Sequence, residues 1–393
     1  MINEIKEHLL NNISPFWKKL KDDKGGFYGY MNFDLEVDKE ALKGVILHSR
    51  ILWFFSNQYL LFGDARDLAY AKHAYNFVVN KCIDKQYGGV YWMLNADGEP
   101  FEDMKHTYNQ AFAIYALSSY YDASREREAL DKAFELFNLI EKTCTDEFGY
   151  VEAFDRNWNP IDNNKLSDNE HLWAEGLVSE KTMNTLLHVL EAYTELYRVS
   201  KSEKVGEKLL ELLEVFEKKV YNANQDILEV FFDRELKTIT DMHSYGHDIE
   251  AAWLLDRAAE VLDGAEMIQR THAYTLKLAY KVSKVAFEDG ALSNERYKKE
   301  IDKTRIWWVQ AEGIVGFINA YEKSKDEKFL QLAKALWNYI MTYVVDKRAG
   351  GEWFWQVDFE GNPSCDKPIV EPWKCPYHNG RMCFEVIRRN IDV

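Results

Sequence analysis

Three histidines stand at regular positions on stretches that otherwise read as buried helix. His188 lies in KTMNTLLHVLEAYTEL, His247 follows 59 residues later in SYGHDIEAAW, and His378 stands in EPWKCPYHNGRMCFEVI. An imidazole gives or takes a proton near neutral pH with little driving-force penalty, so several facing one cavity suit proton transfer. Two such bases on opposite faces of a carbon can invert it.

Other residues out of place in a buried helix keep the same period. Arg50 sits inside VILHSRILWFF, where an unpaired guanidinium costs on the order of several kcal/mol and calls for an anionic or hydroxyl-rich partner. Tyr108 opens KHTYNQAFAIYAL 58 residues after Arg50, and Asn184 lies one turn before His188 on the same face. Glu250 is one turn beyond His247, Trp307 and Trp308 open WWVQAEGIVGFINAY about 60 residues after His247, and Arg381 is one turn beyond His378. Taken singly, a tyrosine at a helix start is packing, paired tryptophans are core, and a buried arginine is a structural ion pair. Their shared period selects them: six helices are expected to direct Arg50, Tyr108, His188, His247, Trp308 and His378 toward one end of one cavity.

The elements that carry them repeat. Aromatic residues cluster around glycine in GGFYGYM at 25, GGVYWML at 88, FGYVEAF at 148, DGALSNE at 289 and GGEWFWQV at 350. Gly25 to Gly88 is 63 residues, Gly88 to Gly149 is 61 and Gly290 to Gly350 is 60. The interval from Gly149 to Gly290 is 141, room for two units with DILEVFFD at 226 as a degenerate marker. This spacing gives six units of roughly sixty residues. Each holds one amphipathic helix, as in REALDKAFELFNLIEK with Leu130, Ala133, Phe134, Phe137 and Ile140, and one nearly apolar all round, such as NQAFAIYALSSYY. The apolar helix belongs inside. The expected fold is all-α, an (α/α)6 barrel of six helical hairpins with aromatic-rich connecting loops, forming one catalytic domain over 1–393; an open helical array is the rival.

A net charge of −16 opposes nucleic acid and anionic membranes as partners. The amino terminus has no signal-peptide core, no run of 18 uncharged apolar residues occurs, and five scattered cysteines form no disulfide framework. The expected setting is cytoplasmic, as a monomer or weak homo-oligomer. His243 and His247 make an H-x-x-x-H spacing, but Gly246 between them argues for a break in the helix, and no third ligand is evident, so no metal is expected. Asp248 reads as a carboxylate favoured by the helix dipole. Cys375, Cys383 and His378 lack a fourth zinc ligand, and nucleotide-binding and serine-nucleophile motifs are absent. Glycoside hydrolysis would rest on Glu250 and Glu312, the only well-placed acids. A non-catalytic sugar-binding barrel explains the aromatics but not three converging histidines.

At SYGHDIEAAWLLDRA and KPIVEPWKCPYHNGRMC the chain resembles the N-acylglucosamine 2-epimerase superfamily, most closely the cellobiose 2-epimerases; RILWFFS, KTMNTLLHVLEAY and RIWWVQAE match in the same order. The resemblance implies an (α/α)6 barrel that epimerises C2 of the reducing-end glucose in a β-1,4-linked disaccharide through a cis-enediolate, without a cofactor. Cellobiose would become glucosyl-mannose and lactose epilactose. It implies that His247 and His378 are the C2 acid/base pair, that His188 serves ring opening and proton handling at O1 or O5, and that Arg50 stabilises enediolate charge. Tyr108, Asn184 and Glu250 match polar substrate contacts, Trp373 the aromatic beside the epimerised sugar, Trp308, with Trp307 beside it, the platform for the second, and Arg381 a support for the His378 segment. Two departures stand out: Leu186 replaces a histidine common among relatives, expected to affect packing, and SDNEHLWAEG (167–176) reads as an extra loop that would alter the cavity rim. Alternatives are a monosaccharide 2-epimerase or an aldose–ketose isomerase, since an enediolate also accepts a proton at C1.

Overall fold

Amphipathic and all-apolar helices alternate along the chain, and they pack as two concentric rings. The computed structural model describes residues 1–163, 172 and 174–391. The outer ring holds α1 (Ile2–His8), α2 (Ser14–Lys19), α4 (Ala65–Phe77), α6 (Arg127–Thr143), α8 (Glu203–Val215), α10 (Ala265–Val285) and α12 (Glu327–Tyr339), with α1 and α2 joined by a wide turn into one bent helix. The inner ring holds α3 (Val45–Phe62), α5 (Thr107–Ser124), α7 (Met183–Ser200), α9 (Tyr245–Leu262), α11 (Trp307–Ser324) and α13 (His378–Arg389). Each inner helix packs on the next, and α13 returns to pack on α3, so the ring closes into an (α/α)6 barrel. The open array is excluded. Leu130, Ala133, Phe137 and Ile140 turn the buried stripe of α6 inward, whereas α3 and α5 are buried almost all round.

At one mouth of the barrel the connections are short antiparallel hairpins, and two polar devices recur there. First, a cation two residues before an inner helix reaches back to a carboxylate at the preceding turn: Lys43 to Asp22 at 2.6 Å, Lys105 to Asp84 at 3.0 Å and Lys181 to Asp146 at 2.5 Å. Second, the fourth residue of an inner helix accepts a hairpin amide: His48 from Phe27, Gln110 from Val90, Asp248 from Leu228 and Gln310 from Leu292, at 2.6–3.1 Å. Each bond satisfies a buried N–H that would otherwise cost about 1–3 kcal/mol. Asp248 lies in the first turn of its helix, as expected of a carboxylate favoured by the dipole, and it also accepts from His243 Nε2 at 2.6 Å, which makes it a buried hairpin anchor.

Between units, the strand entering each inner helix pairs with the hairpin of the next unit. Lys43–Gly44 pairs with Met93–Leu94, Lys105–His106 with Ala153–Phe154, and Lys181–Thr182 with Phe231–Phe232. Arg305–Ile306 pairs with Gln356–Val357, and the Met31–Val370 bridge closes the circle. A collar of strand pairs thus surrounds the mouth.

Gly246 does not break a helix; it lies in the first turn of α9, and a Cβ there would come within 2.5 Å of the Trp308 ring, so glycine is required by close packing. DILEVFFD does mark a hairpin, with Asp226 at φ +55° taking the left-handed position that Gly88 and Gly290 take elsewhere. Leu186 occupies the fourth position of α7, where other units place an amide acceptor, and it lines a cavity of about 820 Å³ between α6 and α8. Most of the 167–176 segment lies outside the described residues.

Candidate active site

Because all six inner helices begin at the collared mouth, their first two turns face one cavity of about 470 Å³. It is lined by Arg50, Tyr108, Asn184, His188, His247, Glu250, Trp307, Trp308, Trp373 and His378, which are ten of the eleven residues singled out from the sequence. Arg381, the eleventh, does not line it; it is buried beneath, one turn below His378. Ile306, Trp355, Lys367, Pro368 and Glu371 complete the wall. Trp355 could have been read from its place in GGEWFWQV; Lys367 and Glu371 belong to an irregular loop outside any period.

Arg50 is held by stacking. Its guanidinium lies between the rings of Phe112 and Tyr377, 4.3 and 4.6 Å from their centroids, and donates to the Tyr108 hydroxyl at 2.9 Å and the Trp373 carbonyl at 3.3 Å. Among the described residues no carboxylate comes within 4 Å of it, and its Nε has no acceptor. A buried cation so held attracts an anion at the cavity wall. Burial raises the Tyr108 hydroxyl to about 12 against the pull of Arg50, so it stays a proton donor at neutral pH.

Each pocket imidazole is anchored through Nδ1. His188 bonds Glu191 Oε2 at 2.9 Å, His378 bonds Glu312 Oε1 at 2.8 Å and His247 bonds Ser244 Oγ at 2.7 Å. A carboxylate accepts only, so Nδ1 of His188 and of His378 carries the hydrogen, leaving Nε2 bare toward the cavity. Burial holds all three below the ordinary histidine range, with the charges of Arg381 and Arg50 adding at His378. They rest neutral, as bases. The Trp308 ring lies 4.8 Å from His247 and 5.4 Å from His378, so the two imidazoles flank one indole.

Beneath them Arg381 is the hub of a buried cluster. It bonds Glu191 at 2.5 Å and Glu312 at 2.7 Å, and also reaches Glu250 and the Tyr377 hydroxyl. Burial would raise Glu191, but Arg381 and His188 overcome it and hold the carboxyl at about 2. Burial raises both Glu250 and Glu312; Arg381 pulls against it, and the neighbouring Glu191 carboxylate pushes both the same way, so the pair holds protons more tightly than free carboxyls do. Glu250, Glu312 and His378 bring ligand-type atoms within 4.8 Å of one another, a spacing a cation would use, yet the Arg381 guanidinium already stands among them. Glu191 and Tyr377 were missed from the sequence; the three-residue step from His188 to Glu191 was the available signal.

Among the described residues no helix is long and apolar enough to cross a membrane.

The profile of the N-acylglucosamine 2-epimerase (GlcNAc 2-epimerase) family matches residues 26–379. The chain is 55% identical, over the whole of both chains, to a cellobiose 2-epimerase of Ruminococcus albus. A solved cellobiose 2-epimerase from Bacillus thermoamylovorans is 44% identical, covers 99% of each chain and superposes with a TM-score of 0.94. A D-mannose isomerase structure, 19% identical over 98% of each chain, superposes with a TM-score of 0.85 and shares the fold. The profile match, the full-length identity and the closed helical barrel agree: this chain belongs to the N-acylglucosamine 2-epimerase family.

Proposed function

We propose that the protein is an isomerase that reversibly epimerises C2 of the reducing-end glucose in cellobiose and related β-1,4-linked disaccharides, lactose among them. The observation that carries this reading is the placement of His247 and His378 within 4.8 and 5.4 Å of one Trp308 ring, with Arg50 on the same cavity wall. The full-length likeness to cellobiose 2-epimerases supports the substrate.

The chemistry is set by the site. His188, beside the Tyr108 hydroxyl, handles the proton that opens the sugar ring to the aldehyde. One of His247 and His378 then takes the C2 proton at Nε2; the C–H electron pair forms the C1–C2 double bond, and O1 gains the charge. Arg50 stabilises that charge. Rotation of the intermediate presents its other face to the second histidine, which has taken a proton onto Nε2 from solvent before the step and returns it to C2. Electrons move only within the sugar, so the step needs no redox cofactor. Trp307, Trp308, Trp355 and Trp373 offer more stacking surface than one pyranose ring covers, which favours a disaccharide over a monosaccharide.

Turnover of cellobiose, glucose, mannose and N-acetylglucosamine, followed by product analysis, tests the reading. A glucosyl-mannose product formed fastest from cellobiose supports it; a ketose from mannose as the main product would replace it with aldose–ketose isomerisation.

A further inference from the structure

The three pocket imidazoles are seated differently. His188 and His378 rest on carboxylates tied to Arg381, whereas His247 rests on the neutral hydroxyl of Ser244. Ser244 is the N-cap residue of α9, a position where serine ordinarily accepts an amide of the first turn, but here its side chain caps nothing. The contrast with α7 is direct: there the cap residue Thr182 accepts the Thr185 amide at 3.1 Å. Ser244 is buried, and its backbone is fixed by strand pairing to Glu295. Its hydroxyl is therefore diverted from the helix to the imidazole.

From this we infer that Ser244 is a positioning residue for His247, its hydroxyl holding the ring so that Nε2 faces the cavity. The inference rests on the proposed C2 epimerisation. A carboxylate can only accept the Nδ1 hydrogen, whereas a hydroxyl either accepts it or donates to the bare nitrogen; either bond aims Nε2 at the cavity, and the carboxylate stabilises an imidazolium more strongly. In each turnover one histidine gains the proton lost from C2 while the other delivers its own, so the pair ends with protonation exchanged and resets through solvent after release. One member of the pair is thus seated on a charged cluster and the other on a single hydroxyl, so removing the hydroxyl touches one histidine only. Without the hydroxyl, the His247 ring loses its register and only the steps it carries slow down.

The test uses the full-length enzyme with cellobiose and, separately, with glucosyl-mannose in deuterated water. Product and C2 deuterium in the recovered sugar are followed by NMR. Ser244→Ala is expected to lower kcat about tenfold with KM within about twofold, and Ser244→Thr to restore most of it. For the epimer whose C2 proton His378 removes, exchange persists while product formation falls, so the ratio of exchange to epimerisation rises; for the other epimer both fall together. Equal losses of exchange and epimerisation from both epimers, or an unchanged kcat in Ser244→Ala, overturn the inference. A wild type that neither exchanges nor epimerises either sugar overturns the proposed function, and this inference with it.

Discussion

The two ends of the barrel are made from the same helices but are joined differently. At the closed end, five inner helices pass to their outer partners through two-residue links, and the first residue of each link lies at φ between +53° and +72°. Gly63 takes that position once; Arg125, Lys201, Asp263 and Lys325 take it in the other four. At the open end the returns run from 21 residues (286–306) to 39 (144–182), and they carry the hairpins, the strand collar and the cavity rim. Short links with one permitted geometry fix helix register and leave nothing over for chemistry. Long links let each inner helix begin with a polar residue whose partners are gathered from other units. Closed-end changes should therefore alter stability alone, and open-end changes should alter activity first.

The largest expected effect is at the open end. His378→Ala and His247→Ala should each lower the C2 exchange rate by about 10³-fold or more while the circular dichroism and the thermal midpoint stay near those of the wild type. Gly246→Ala should act next: its methyl group displaces Trp308, the indole against which both histidines lie. A loss of about 10–100-fold in kcat/KM is expected, together with a destabilisation of about 1–3 kcal/mol in urea unfolding from the overpacked ring.

A smaller effect separates the supporting layer from the chemistry. His48 accepts the Phe27 amide through Nε2 and bonds the Gly44 carbonyl through Nδ1, so only the neutral ring serves, and burial lowers it to about 4. Between pH 4 and 6.5 the unfolded chain binds this proton more readily than the folded one, so stability from His48 is full above 6.5 and is lost as pH falls. Gln110 and Gln310 make the same hairpin bond without titrating. His48→Gln should match the wild type within about 1 kcal/mol at pH 7 and exceed it by about 1–2 kcal/mol at pH 5 in urea unfolding.

At the closed end, Lys325→Gly should relieve the left-handed strain at φ +58° and raise stability by less than about 1 kcal/mol, with kcat and KM unchanged. A change in turnover from this substitution would break the contrast between the two ends.

How much of this could be read from residues alone depends on what is periodic. The glycine-aromatic clusters and alternating helix types are local signals, and they predicted six hairpins and the placing of Arg50, Tyr108, His188, His247, Trp308 and His378 on one mouth. Aperiodic contacts were not visible. Glu191 meets Tyr377 and Arg381 below the pocket across 186 and 190 residues of sequence, and the charges of Glu191 and Arg381 matter only after burial. Gly246 misled because a glycine at a helix start reads as a break, whereas the constraint is Trp308 on the neighbouring helix. Asp248 was read correctly as a first-turn carboxylate, but its partners, the Leu228 amide and His243, come from the preceding hairpin and strand and carry no local signal.

The central claim is proton transfer at C2 by the open-end histidines, and a proton NMR time course with cellobiose in deuterated water tests it most directly. A mannose-type reducing end carrying deuterium at C2 is the predicted result. Released glucose, or a mannose-type product that keeps protium at C2, would contradict it.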